Sequence, residues 1–316
     1  MSKHSVLPNF RADAPLESGA LTKTGARNLP QMESRTPSRT VFLAIWYSAN
    51  VLLILGILLV AYSAVWEYST RKYLKGFSDA VVPVSAPTLE KAEAILSWMS
   101  NGPSRHEEGP DPSSPDRDPT DTLNYGSLLR VCGTATNAFI NLADSAGMAA
   151  RRLLLLDSRR SVNHVVAEVL VNGRWVVVDP AYRVIFRGTD GVPLTREQLA
   201  DPAVFSTATK DIRGYKPDYT FGRTVHVRVA RLGLLGRLLR KTLDYVLPDW
   251  EGSTAISLLM ERESLAAMVV ALILVFLLGL LRIALRWYGE RRLGIRPVRV
   301  RQQILRAFHA FVDAAG

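Results

Sequence analysis

Cysteine is nearly missing from this chain: among 316 residues there is one, Cys132. A single thiol closes no internal disulfide and cannot build a multi-cysteine zinc site. Charge is missing altogether from two stretches, 41–66 and 265–281. A membrane-spanning helix needs about 20 predominantly apolar residues, so both runs qualify, the second with Arg282 and Arg286 snorkelling at its end. A cleaved signal peptide is the rival for the first run, with small residues at Ala61 and Ala64. It is disfavoured because some forty residues precede a run longer than the usual ~7–15-residue h-region. No internal repeat is present.

The net charge of +10 does not indicate a nucleic-acid binder once it is divided along the chain. Residues 1–40 carry 6 basic and 3 acidic side chains (+3), residues 67–263 carry 25 and 24 (+1), and residues 264–316 carry 8 and 2 (+6). The surplus therefore flanks the apolar runs. Positive flanks stay on the cytoplasmic side, which predicts a two-pass protein of the cell (inner) membrane, with both termini cytoplasmic and the middle extracytoplasmic. The expected organisation is a disordered tail over 1–40, a span over 41–66, an extracytoplasmic region over 67–263, a second span over 264–287 and a basic tail over 288–316. That tail, with Arg291, Arg292, Arg296, Arg299, Arg301 and Arg306, suits anionic headgroups of the bilayer. No nucleic-acid partner is expected.

Within the middle region, Thr88 is a candidate N-cap for a helix over 89–99, with an apolar stripe of Ala92, Ile95, Leu96 and Met99. Residues 101–122 are rich in Pro, Asp, Glu and Ser and read as a loop, so their acids and His106 are not taken as a metal site. Residues 133–146 carry apolar positions at helical spacing (Ala135, Phe139, Leu142, Ala143, Ala146), and Gly147 suits the stop. Cys132 opens that helix on the same stripe. Ala150–Leu156 reads as a buried strand, and 223–230 alternates like another. Between them, 182–219 is loop-rich with one helical signal at 195–200. Residues 231–247 form a basic amphipathic stretch that suits either the membrane surface or the domain's own core.

The strongest local signal is Asn172-Gly173 between two β-branched runs, because a type I′ turn needs positive φ at both central residues. Taken as a two-residue loop, it pairs positions whose numbers sum to 345. His164, Val166, Glu168, Trp175, Val177 and Asp179 then share one sheet face. His164 and Asp179 become diagonal neighbours, with Cα atoms ~7–8 Å apart. Asp179 can hold the imidazole in one tautomer while its other nitrogen faces the Cys132 thiol, and a helix N-terminus beside an imidazolium favours thiolate. The Cys132 backbone N–H suits an oxyanion hole. Nucleophile, base and orienting acid in this order are what a cysteine acyl-transfer site requires. Each residue alone has a plainer role: Cys132 as core, His164 as a strand-end cap, Asp179-Pro180 as a turn.

At these residues the chain resembles the transglutaminase-like superfamily, with its papain-like Cys-His-Asp core. The resemblance runs through Cys132-Gly133, Ala143 to Gly147, Ala150-Arg151, His164 to Glu168, Asn172 to Trp175 and Val178-Asp179-Pro180. It covers about 88–182 and is most specific over 130–181. It implies an α+β fold, a catalytic helix packed on an antiparallel sheet, set here between two transmembrane helices of the bacterial membrane-anchored type. By position it makes Cys132 the nucleophile, His164 the base and acid, and Asp179 the orienting acid, with Glu168 and Trp175 structural. Relatives take a second oxyanion donor from an upstream aromatic or amide side chain; Tyr125 or Asn124 occupies that place. The chain departs from the family at Arg130, where glycine is common, and at Val165 and Val166, where an aromatic is common, so no substrate carries over.

The expected activity is acyl transfer on amide bonds of envelope proteins or peptides, as a peptidase, amidase or transglutaminase-like enzyme working through a thioester. Hydrolysis is preferred on resemblance to bacterial relatives. The alternative is a non-catalytic binding or scaffold module in a cell-envelope or surface-polymer assembly. No cofactor or metal is implied.

Overall fold

The computed structural model describes residues 37–101, 123, 129–228 and 233–294. Residues 1–36, 102–122 and 295–316 lie outside the described residues, and with them the stretch expected to be a loop and most of the basic C-terminal arginines.

The first apolar run lies inside one helix, α1 (Pro37–Val81), and the second inside the chain's last described helix, α8 (Glu263–Arg292). Both are long and apolar enough to cross a membrane, with mean hydropathies of 2.3 and 2.9 over their most apolar windows. At ~1.5 Å per residue the 30 residues of α8 exceed a hydrocarbon core of ~30 Å. Leu52, Ile54, Leu58, Phe276 and Ile283 are all more than half exposed. The two helices pack antiparallel: Phe42 meets Tyr288 at one end, and Gly56 lies so close to α8 that a Cβ there would stand 3.0 Å from Val275.

Helix α1 does not end at the edge of its apolar run. Its last turns are part of the domain core, where Leu74 and Val82 are buried and Phe77 packs edge-on against Trp98 at 4.8 Å. Trp98 belongs to α2 (Thr88–Met99), whose buried residues are the expected stripe of Ala92, Ile95, Leu96 and Met99. Each fully buried aliphatic side chain of this kind contributes ~1.5–3 kcal/mol. One detail differs from expectation. Thr88 is the first helical residue and Pro87 the cap, with no side-chain capping bond, because proline's ring carries no oxygen to accept one.

Helix α3 (Cys132–Ser145) begins at the cysteine. It closes at Gly147 with paired bonds from Met148 N–H to the Ala143 carbonyl and from Gly147 N–H to the Asp144 carbonyl, a Schellman stop. The sheet is antiparallel throughout, in the order β4-β3-β2-β1-β5. Its strands are β1 (Ala150–Leu156), β2 (Val162–Val171), β3 (Arg174–Asp179), β4 (Val184–Ile185) and β5 (Thr224–Val225). Asn172 and Gly173 have φ of 49° and 80°, and Val171 faces Arg174, Val169 faces Val176 and Ala167 faces Val178. This is the register expected from the turn.

Two short elements had no strong periodic signal: β4, and α5 (Pro202–Thr209), which follows α4 (Arg196–Leu199). Helix α4 has a Thr195–Gln198 capping box. Helix α5 starts from Asp201 as N-cap with Pro202 beside it. Of the strand expected over 223–230, Thr224 and Val225 pair with β1 among the described residues, and the next residue, His226, hydrogen-bonds to Glu168. The basic stretch forms α6 (Gly233–Val246), with Arg237, Arg240 and Lys241 exposed.

A buried polar cluster joins the apolar helices to the rest. After α7 (Thr254–Glu261), Arg262 is 1% exposed, its guanidinium 2.9 Å from Asn141 Oδ1, 2.9 Å from Asp144 Oδ2 and 3.3 Å from Glu67 Oε1. Glu67 Oε2 accepts from Ser264 Oγ at 2.7 Å. Glu261 receives Arg152 at 2.6 Å and an amide bond from Asn137 at 3.2 Å. One face of α3 is thereby fastened to α1, α7 and the start of α8. A buried charge stripped of its partner costs about 3–5 kcal/mol. Glu67 keeps Arg71 when Arg262 is removed, and Asn141 Oδ1 loses its donor, so Arg262→Met is expected to lose about 1–3 kcal/mol in denaturant titrations of the detergent-solubilised protein, and Glu67→Gln in the same chain to restore part of it. A single variant as stable as the parent would contradict this.

Candidate active site

The hairpin register and the start of α3 bring the predicted trio to one end of the sheet. His164 and Asp179 have no solvent exposure, and the His164 Nε2 to Asp179 Oδ2 distance is 2.6 Å. The other carboxylate oxygen, Oδ1, accepts from the backbone N–H of Ala181 at 3.0 Å and of Tyr182 at 3.2 Å. Asp179 is thus held by its own turn, an Asx arrangement that aims Oδ2 at the imidazole.

Nε2 being committed, Nδ1 is the ring nitrogen left for the thiol. It completes no hydrogen bond in this structure, and Cys132 is near enough to raise the imidazole's pKa by its charge. Cys132 is half-buried at the first position of α3. Thr136, one turn on, donates to the Val165 carbonyl at 3.2 Å and fixes α3 against β2 beside the histidine. Burial is the largest single influence on His164 and pushes its pKa down. The Asp179 carboxylate, by charge and hydrogen bond, and Cys132 together outweigh it and raise the value from 6.5 to about 9.

Glu168 and Trp175 are structural, as expected. Glu168 accepts from Arg151 at 2.7 Å and His226 at 2.8 Å, and Arg151 lies 3.9 Å over the Trp175 ring. Burial pushes the Glu168 pKa up, but His226 and Arg151 outweigh it and hold the carboxyl below its ordinary range. Asn124 and Tyr125, the suggested oxyanion donors, lie outside the described residues. Among the described residues no three His, Cys, Asp or Glu side chains converge as a metal site.

Two contributions were not anticipated. Arg183, at a φ of 61°, donates to the carbonyls of Met99 at 3.0 Å, Leu129 at 3.1 Å, and Pro180. It ties the approach to Cys132 to the turn that carries Asp179. Around the imidazole stand Tyr182, Tyr215 and Tyr219, the last stacked flat upon it. Burial first, and then the Asp179 charge, raise the Tyr215 hydroxyl well above its usual pKa, so it stays neutral. The only sequence signal was the aromatic content of 215–221, which has no period and so gave no placement.

Residues 75–180 match the family model of the transglutaminase-like superfamily, so this stretch is a transglutaminase-like domain that begins within the last turns of α1. No curated protein and no solved structure matches the chain.

The raised His164 pKa sets the sign of an alkaline stability loss. A group whose folded pKa lies above its unfolded value stabilises fully below the unfolded value, near 6.5, and loses that contribution as pH rises through about 9. The melting temperature of the full chain should therefore fall between pH 7 and 10. Asp179→Asn keeps an acceptor but removes the charge, and should flatten that limb. An equally steep limb in both proteins would contradict the assignment.

Proposed function

We propose that the transglutaminase-like domain makes this chain a membrane-anchored cysteine acyl-transfer enzyme acting on amide bonds of envelope proteins or peptides. The observation that supports this most directly is the buried His164–Asp179 pair, which commits Nε2 and leaves Nδ1 for a thiol at a helix N-terminus. A thiolate there gains from the helix dipole and from the adjacent imidazolium.

In the proposed cycle, the Cys132 thiolate attacks the amide carbonyl carbon, and a C–S bond forms as the C=O π electrons move to oxygen. The Cys132 backbone N–H, at the helix start, is positioned to receive that oxyanion. As the tetrahedral species collapses, the C–N bond breaks and His164 Nδ1 passes its proton to the departing amine. An S-acyl thioester remains. Water or an amine then attacks the thioester, His164 takes the attacker's proton, and the thiolate leaves. Asp179 holds the ring plane. Water as acceptor is the preferred course, giving a peptidase or amidase.

The charge division supports an extracytoplasmic domain with both tails in the cytoplasm, α1 and α8 serving as the two spans. A reporter fused after Ala80 should be active only outside the cytoplasm; activity only inside would reverse the orientation. For the chemistry, intact mass after incubating the full-length protein with an envelope extract reads the acyl-enzyme directly. The parent should gain hydroxylamine-labile mass and Cys132→Ala none, with cellular function lost in the variant. Function retained in cells carrying Cys132→Ala would assign the fold to a non-catalytic scaffold instead.

A further inference from the structure

We propose that Tyr219 is a positioning residue for His164, its ring lying flat on the imidazole and holding the plane in which Nδ1 meets Cys132. This rests on Cys132 being the nucleophile, but it assigns a role to a segment beyond the transglutaminase-like stretch, which ends at residue 180.

The two rings are 4.1 Å apart between centroids and 3° from parallel. At that separation no water fits between them, and the imidazole cannot turn about its Cβ–Cγ bond without driving its edge into the phenol. The face of an aromatic ring is also its negative side, so a flat phenol favours an imidazolium over a neutral imidazole. Tyr219 is itself buried and is held by Tyr215, which stands edge-on to it at 5.7 Å and edge-on to His164 at 6.2 Å. Tyr182 closes a further side at 5.9 Å, with its hydroxyl donating to the Gly214 carbonyl at 3.1 Å.

The chain is also fastened beside the stacked pair. Asn163, the residue before His164, donates through Nδ2 to the carbonyl of Asp218, the residue before Tyr219, at 3.0 Å. Histidine and tyrosine are thus placed against each other by their neighbours as well as by their rings. The ionisable groups around the imidazole are Asp179 from β3, Cys132 from α3, and the hydroxyls of Tyr182, Tyr215 and Tyr219; Lys216 sits 5.7 Å from the Tyr219 ring centre.

The test follows alkylation of Cys132 by iodoacetamide from pH 5 to 9 in the detergent-solubilised full chain, since the rate reads the thiolate without needing a substrate. Tyr219→Phe keeps the ring and should overlay the parent. Tyr219→Leu keeps apolar bulk without a π face. It should react about tenfold more slowly below pH 7 and shift its rate midpoint upward. Parent-like alkylation in Tyr219→Leu would overturn the inference, as would an equal loss in Tyr219→Phe. If Tyr219→Leu does not fold, proton NMR of the parent decides: the stack places the His164 ring protons upfield of the other histidines, and ordinary shifts would overturn it. A parent thiol that reacts like a free one would instead remove the nucleophile reading, and this inference with it.

Discussion

A carboxylate with no access to water needs a donor for each oxygen, and meeting that need for Asp179 organises the site end of this domain. One oxygen is answered by two backbone N–H groups of the turn that follows it, the other by His164. The turn can do this only because Pro180 ends β3 there, and Arg183 clasps the turn to the segment before Cys132. The imidazole, held at Nε2, has a single direction in which to present Nδ1. If Asp179 were moved by one residue in register, it would face the opposite side of the sheet and leave both groups unpaired. The type I′ turn at Asn172-Gly173, at the far end of the hairpin, therefore sets the geometry of the site.

A second buried electrostatic arrangement fixes that site relative to the apolar helices. Arg262 stands where α7 gives way to α8, and it answers Glu67 of α1 and both Asn141 and Asp144 of α3. Charges in such a position are costly unless fully paired, so the helices they join cannot slide independently without exposing an unpaired ion. With α1 running unbroken into the domain core, the helix that begins at Cys132 has its orientation set by the pair of apolar helices. A flexible tether would have placed no such demand.

Local periodicity foretold much of this. The stripe of α2, the extent of β1, the start of α3 at Cys132 and the whole β2–β3 register follow from spacing and turn chemistry within a few residues, and the structure has them. The pairing of His164 with Asp179 follows from the same register, and the helix stripe puts Cys132 on the face toward them. What spacing missed depends on contacts between distant parts of the chain. Nothing in the local sequence around Arg262 or Arg183 points to the distant carboxylates and carbonyls they bind. Tyr215 and Tyr219 sit in a segment with no period at all, and only the folded sheet brings them over His164. His226 is a further case, since its hydrogen bond to Glu168 is a contact that the alternating pattern of 223–230 does not reveal. Even Thr88 changes role, since Pro87 takes the cap position.

Central to the site is a fully buried His164 whose pKa Asp179 and Cys132 raise from 6.5 to about 9. The direct measurement is the titration of the His164 side-chain nitrogens by 15N NMR in the full-length parent protein. The account predicts that both ring nitrogens remain protonated through neutral pH and release a proton only near pH 9. A His164 that titrates at or below 6.5, or stays neutral throughout, would contradict it.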